Sequence, residues 1–283
     1  MKHIFLNLKR FDVPAEKGGV NRLSSPAVWG RTVVEGIQDG IEGYEKDTEF
    51  AVFFPEAHIL TALAAKKEGS RLDIGCQGVY REDISIGGNF GAFTSNRPAA
   101  AAVALGATYT IIGHCEERND KMGLLAGAGL TGTGAKKAVN RILNQEILCA
   151  LERGMKVLYC IGEKSDEQED WKVVLGDQLE LGLEGIKPSD WERVTIAYEP
   201  VWSIGPGKIP ADAAYIRKVA RFAKEETNGL DLVYGGGLKE DNARMLASIP
   251  EIDGGLIALT RFVGEIGFYP EEYLKITQLY LQD

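Results

Sequence analysis

Short runs of β-branched and large apolar residues recur along the chain. Each closes near a turn signal, and they alternate with stretches whose apolar residues repeat at helical spacing. Eight such runs lie at residues 4–8, 50–54, 72–77, 109–113, 157–161, 195–199, 232–234 and 255–258. Amphipathic segments lie at 29–41, 59–67, 138–153, 211–226 and 271–281. Strands alternating with helices pair in parallel through right-handed crossovers, because a right-twisted strand feeding a helix packs back onto its sheet only that way. Eight units predict closure into an α/β (β/α)8 barrel. Such a barrel takes ~250 residues, so the 283 residues here are expected to form a single domain, 1–283. An open doubly wound sheet would place a glycine-rich phosphate turn straight after the first strand, where this chain reads Asn7-Leu8-Lys9-Arg10. A GxGxxG at residues 127–132 begins well after the nearest strand ends and is read as a flexible loop.

Two stretches read as insertions on the face where the loops after strands gather: polar residues 13–25 and glycine-rich residues 121–137. Either could touch a substrate, and either could be a tolerated surface excursion, since lengthening a loop costs little.

Composition narrows the partners. A net charge of -9 argues against nucleic acid or an anionic membrane, so any anionic ligand must be held by local groups. Cys76, Cys115, Cys149 and Cys160 show neither disulfide density nor metal spacing and read as reduced thiols of a cytoplasmic protein. Cys115 beside His114 is read as a small residue packed at a strand end. The first residues lack the apolar core and cleavage site of a secretory leader, and no run of ~20 apolar residues predicts a membrane span.

Residues 194–210, VTIAYEPVWSIGPGKIP, carry the strongest chemical signal. Glu199 stands at the end of a strand and is followed by Pro200 and a loop bracketed by Gly205 and Gly207, the layout of a base beneath a lid. The fourth strand ends in Gly113-His114-Cys115-Glu116-Glu117-Arg118. A helix N-terminus there would disfavour positive charge on His114 and leave a neutral imidazole that donates to a carbonyl. The first strand ends with Asn7 and Lys9, whose shared parity puts both on one face, and the lysine would attract an anion. His3 and His58 are assigned surface or structural roles.

Together these motifs resemble the triosephosphate isomerase family from Asn7 to Phe262. Ala197-Tyr198-Glu199-Pro200-Val201-Trp202, with the loop that follows, resembles its base strand and lid. Residues 113–118 resemble its Gly-His-Ser-Glu-Arg-Arg run, and Asn7-Leu8-Lys9 its Asn-Trp-Lys. The resemblance implies that Glu199 is the base, that His114 is the electrophile, that Asn7 and Lys9 stabilise the enediolate, and that Glu116 pairs with Lys9. No metal or organic cofactor is implied. Gly91-Ala92-Phe93-Thr94 resembles the loop that reaches a second subunit, which implies a homodimer with Thr94 near the partner's copy of this first-strand site. Asn96 and Glu117 stand where the family has an interface Glu–Arg pair, which implies different wiring.

The implied phosphate cradle departs further. Gly205 would donate its N–H from the lid, beside Pro206, with Lys208 at the far hinge. Gly237 replaces a serine, and Ala258 and Leu259 replace two glycines ahead of an expected short helix. Arg261 or residues 121–137 could compensate. The implied reaction is interconversion of glyceraldehyde 3-phosphate and dihydroxyacetone phosphate. The alternatives are a paralogue acting on another short sugar phosphate, such as a tetrulose phosphate, or a silent binding paralogue.

Overall fold

The computed structural model describes residues 1–204 and 208–282. Strands β1 (Lys2–Asn7), β2 (Thr48–Phe54), β3 (Asp73–Cys76), β4 (Tyr109–Ile112), β5 (Lys156–Ile161), β6 (Val194–Tyr198), β7 (Leu232–Tyr234) and β8 (Gly254–Ile257) pair in parallel in chain order. Pairing of Leu6 with Ile257 brings β8 back to β1 and closes the barrel.

The strands are buried on both faces, so their apolar runs are nearly continuous and parity decides direction. Phe5, Phe53, Tyr109, Leu158, Ala197 and Val233 point inward and fill the barrel. Their alternates, such as Ile4, Leu6, Val52, Tyr159 and Ile196, point outward into a larger cluster against the helices. The rings of Phe5, Phe53 and Tyr109 meet edge-on at centroid separations of 5.3–6.0 Å and make the barrel a packed core. Each such side chain, fully buried, stabilises the fold by roughly 1.5–3 kcal/mol.

Around the barrel run α1 (Trp29–Ile41), α2 (Ile59–Ala65), α3 (Ala99–Ala104), α4 (Cys115–Gly127), α5 (Gly132–Glu152), α6 (Trp171–Gly182), α7 (Ala213–Glu226), α8 (Ala243–Ala247) and α9 (Pro270–Leu281). In α1, Val33, Ile37 and Ile41 recur every fourth residue and face the sheet. Asp212 caps α7 by accepting the Tyr215 N–H at 2.7 Å. No described helix is long and apolar enough to cross a membrane.

Residues 121–137, expected as a glycine-rich insertion with a flexible loop at 127–132, are largely helical. Lys121 lies within α4, α5 begins at Gly132, and only residues 128–131 turn between them. The local pattern hid this because α4 buries none of its residues against the barrel and has no apolar stripe to betray it. α6 was missed as well. Residues 13–25 do form a loop, and it is a pinned one: Asn21 Nδ2 donates to the Asp12 and Ser24 carbonyls at 3.1 and 2.9 Å.

His3 and His58 are structural and buried. His3 lies between the Glu49 and Asp231 carboxylates, 2.8 Å from each. Burial opposes its charge, but those two carboxylates outweigh it and raise the imidazole pKa. His58 bonds Asp12 at 3.0 Å.

Candidate active site

Inward parity along β6 runs from Ala197 to Glu199, which places the carboxylate on the barrel axis just past the strand. Its backbone is held by donation from Glu199 N–H to the Ile161 carbonyl at 2.7 Å. Glu199 is only 2 % exposed. Two glycines make this fit. A Cβ on Gly235 would come within 2.7 Å of Glu199 Cγ, and one on Gly162 would overlap the Glu199 carbonyl. Burial raises the Glu199 pKa, and His114, the Cys115 N–H, Lys9 and Arg118 offset only part of that.

His114 reaches the same place by a different route. β4 stops at Ile112, Gly113 takes φ 80°, and His114 becomes the N-cap of α4. The Glu116 N–H donates to His114 Nδ1 at 3.3 Å, so the proton of a neutral ring sits on Nε2, which lies 3.1 Å from Glu199 Oε1. The other Glu199 oxygen accepts the Cys115 N–H at 3.0 Å. Cys115 is therefore the first residue of a helix, and the strand-end packing expected of it is corrected: the turn at Gly113 ends the strand before it. Burial first, then the Glu199 charge, pushes its thiol up to about 12. The donor atoms of His114, Cys115 and Glu199 lie within 4.8 Å of one another.

Asn7, inward on β1, accepts the Lys9 N–H at 3.0 Å. The parity expected to align Asn7 with Lys9 does not apply, because β1 ends at Asn7 and Lys9 adopts φ 40°. That left-handed turn brings the ammonium to Glu116, 2.7 Å away. Gln77 was not singled out in the sequence, although a polar residue at a strand end was a usable signal. Its Nε2 donates to the Lys9 and Phe53 carbonyls at 2.9 and 3.0 Å and braces the turn. Asn7, Lys9, Gln77, His114 and Glu116 line one cavity of about 120 Å³. A larger cavity of about 350 Å³ lies outside this one, between α4, α5 and α6, and is lined by neither His114 nor Glu199.

Comparison with known proteins identifies the family. A sequence model described as triosephosphate isomerase matches residues 30–266. Triosephosphate isomerase of Fusobacterium nucleatum is 34% identical over 200 residues, covering 67% of this chain and 71% of that protein. That of Syntrophotalea carbinolica is 31% identical over 229 residues, covering 77% and 80%. The chain belongs to the triosephosphate isomerase family. The crystal structure of triosephosphate isomerase from Bartonella henselae superposes with a TM-score of 0.70, covering 99% of this chain and 98% of that one at 23% identity, and shares the fold.

Against the triosephosphate isomerase pattern, the expected cradle is where this chain differs most. Gly205 and Pro206 lie outside the described residues, and Lys208 is exposed. The segment before the expected lid is anchored: Trp202 Nε1, Tyr198 O–H and Tyr215 O–H donate to Glu163 Oε1 at 2.7, 2.9 and 3.0 Å. Burial raises the Glu163 pKa despite these donors. Gly237, Ala258 and Leu259 follow β7 and β8 as expected, and Leu259 is half-buried. The short helix expected beyond them is absent, and that expectation is corrected. Residues 260–267 form a hairpin in which the Thr260 and Arg261 N–H groups both donate to the Gly267 carbonyl at 3.1 Å. An antiparallel bridge from Arg261 to Gly267 consumes donors that a helix N-terminus would leave free. Arg261 does not serve the cradle either. Its Nε donates to Glu272 at 2.7 Å, and its guanidinium stacks 3.7 Å over Tyr269.

Proposed function

We propose that this isomerase interconverts a short aldose phosphate and its ketose phosphate, most simply glyceraldehyde 3-phosphate and dihydroxyacetone phosphate. Glu199 takes a proton from the carbon beside the carbonyl and returns it to the neighbouring carbon. His114 donates from Nε2 to the carbonyl oxygen and moves protons between the two oxygens. Lys9 and Asn7 face the enediolate and stabilise its charge. Glu116 fixes the Lys9 ammonium. The substrate enters between Glu199 and His114 and replaces their mutual contact. The lid, with the Gly205 N–H at its tip, excludes water.

The observation that carries this reading is the 3.1 Å approach of Glu199 to His114. A carboxylate raised toward neutrality and an imidazole proton converge on one small site, which is what enolisation requires. An isomerase assay on triose and tetrose phosphates with a Glu199→Gln control tests it. The hairpin after β8 and the side chain of Leu259 favour a second reading, a paralogue for another short sugar phosphate such as a tetrulose phosphate. Turnover of tetrose phosphates alone would select it, and turnover of neither would leave a silent sugar-phosphate-binding paralogue.

A homodimer is part of the same proposal. Residues 84–94 project Ile86 and Phe90, which are 108% and 86% exposed. Beside the site, Lys9, Phe11, Gly19, Val20 and Gln77 line a cavity of about 330 Å³ that an apolar loop tip from a second copy would fill. Thr94 then approaches the partner subunit's Asn7. Glu117 takes no part in a cross-subunit pair in this arrangement, since its oxygens accept the Gly113 N–H at 2.6 Å and the Lys121 ammonium at 2.7 Å.

A further inference from the structure

The proposed substrate carries a phosphate, and this chain has fewer main-chain donors to offer it after β8. A cation on the neighbouring loops would supply charge that main-chain donors lack. On the loops after β7 and β8, residues 235–242 and 258–269, the cations are Lys239 and Arg261. Arg261 is committed to Glu272 and stacked on Tyr269. Among the described residues, no carboxylate pairs with Lys239, and its chain neighbour Glu240 is taken by Lys275.

We propose that Lys239 is the specificity-determining residue that holds the substrate's phosphate, parked on the Phe262 ring until the anion arrives. The proposal rests on the reading of the site as that of a sugar-phosphate isomerase. Three local features place this lysine. Gly237 adopts φ 94°, and a Cβ there would lie 3.4 Å from Lys239 Cε, so the lysine stem runs across the bare face of the glycine. Asn242 then clamps the loop, donating from Nδ2 to the Gly237 carbonyl at 2.9 Å and accepting the Lys239 N–H at 2.8 Å. Finally, Lys239 Nζ sits 4.3 Å above the centroid of Phe262, which the hairpin carries across from β8.

The two departures in the cradle thus form one device. The lysine stem lies in van der Waals reach of Gly237, and the hairpin that replaces the helix supplies its platform. A cation over an aromatic face is held without being neutralised, so its charge stays available. A phosphate oxygen offers a stronger, charge-assisted bond and draws the ammonium off the ring.

Lys239→Met and Lys239→Arg test the assignment. Each is compared with the wild-type chain for turnover of glyceraldehyde 3-phosphate, turnover of unphosphorylated glyceraldehyde, and calorimetric binding of inorganic phosphate. Lys239→Met is expected to lower kcat/KM for the phosphate ester roughly 10- to 100-fold, the loss of one hydrogen bond to a charged group. Its turnover of glyceraldehyde stays unchanged, phosphate binding weakens in parallel, and Lys239→Arg recovers most of the loss. Unaltered phosphate binding in Lys239→Met overturns the proposal, as does an equal loss on glyceraldehyde, which would make the lysine structural. A wild-type chain that binds no inorganic phosphate also overturns it. If phosphate binding depends on Lys239 while no aldose phosphate is turned over, the lysine assignment stands and the isomerase reading falls. If Lys239→Met isomerises as well as wild type, the reverse holds.

Discussion

Glu199 is buried at the centre of the barrel mouth, and as the proposed base its protonation should set the acid side of activity. Its pKa is raised above the ordinary 4.5, so the acid limb of a kcat/KM profile should fall above that value. Activity appears as pH climbs through the limb and the base ionises. Glu199→Gln keeps the shape and removes the base, and kcat should drop roughly 10²–10⁴-fold with the fold intact by circular dichroism. Gly235→Ala probes position instead of charge. The new methyl would meet Glu199 Cγ at 2.7 Å and push the carboxylate off its line, so kcat should fall while inorganic phosphate binds as before. A Gly235→Ala chain as fast as wild type would show that Glu199 is not held by this contact. At this scale the sequence was informative about identity and weak about direction. Glu199 and Asn7 follow strand parity into the barrel, whereas His114 and Lys9 arrive through turns at φ 80° and 40° that no alternation pattern encodes.

Between β4 and α5 the chain departs furthest from its local pattern. α4 carries the candidate electrophile at its N-terminus, and the second layer behind it is a buried charge network. Lys121 Nζ bridges Glu117 Oε1 at 2.7 Å and Glu146 Oε1 at 3.0 Å, linking α4 to α5. Burial, then the Glu117 charge, pushes the Glu146 carboxyl up to about 9. Between the ordinary 4.5 and about 9 the folded chain therefore holds a proton that the unfolded chain lacks, and stability falls as pH rises through that window. Glu146→Gln keeps the neutral form, so its urea midpoint should lose that slope and exceed wild type most at the alkaline end. Parallel midpoints for the two chains across that range would remove Glu146 as the source. Helices with one face on the barrel, such as α1 and α7, were legible because burial writes a period into sequence. α4 packs through polar Arg118 and Lys121 and buries no residue fully, so it left no such trace.

For the whole molecule, the proposed dimer would rest on the apolar loop at residues 84–94 and not on an ion pair at Asn96 and Glu117. Sedimentation should find a dimer, and Phe90→Asp should give monomers with reduced turnover, because the side chain is 86% exposed in the single chain and touches no part of its own core. An active monomeric wild type would dispose of the second copy.

The amino-acid sequence alone determined the order of the eight strands, the closure they favour and the residue types at the candidate site, since periodicity and turn signals act over a few neighbours. The tertiary structure decided which of those residues meet. Cys115 N–H reaches Glu199 across 84 positions and Lys9 reaches Glu116 across 107, and both contacts exist only once eight strands close a ring. It decided also that the chain after β8 turns as a hairpin, since the Gly267 carbonyl that claims two N–H groups there is a partner only in the folded loop.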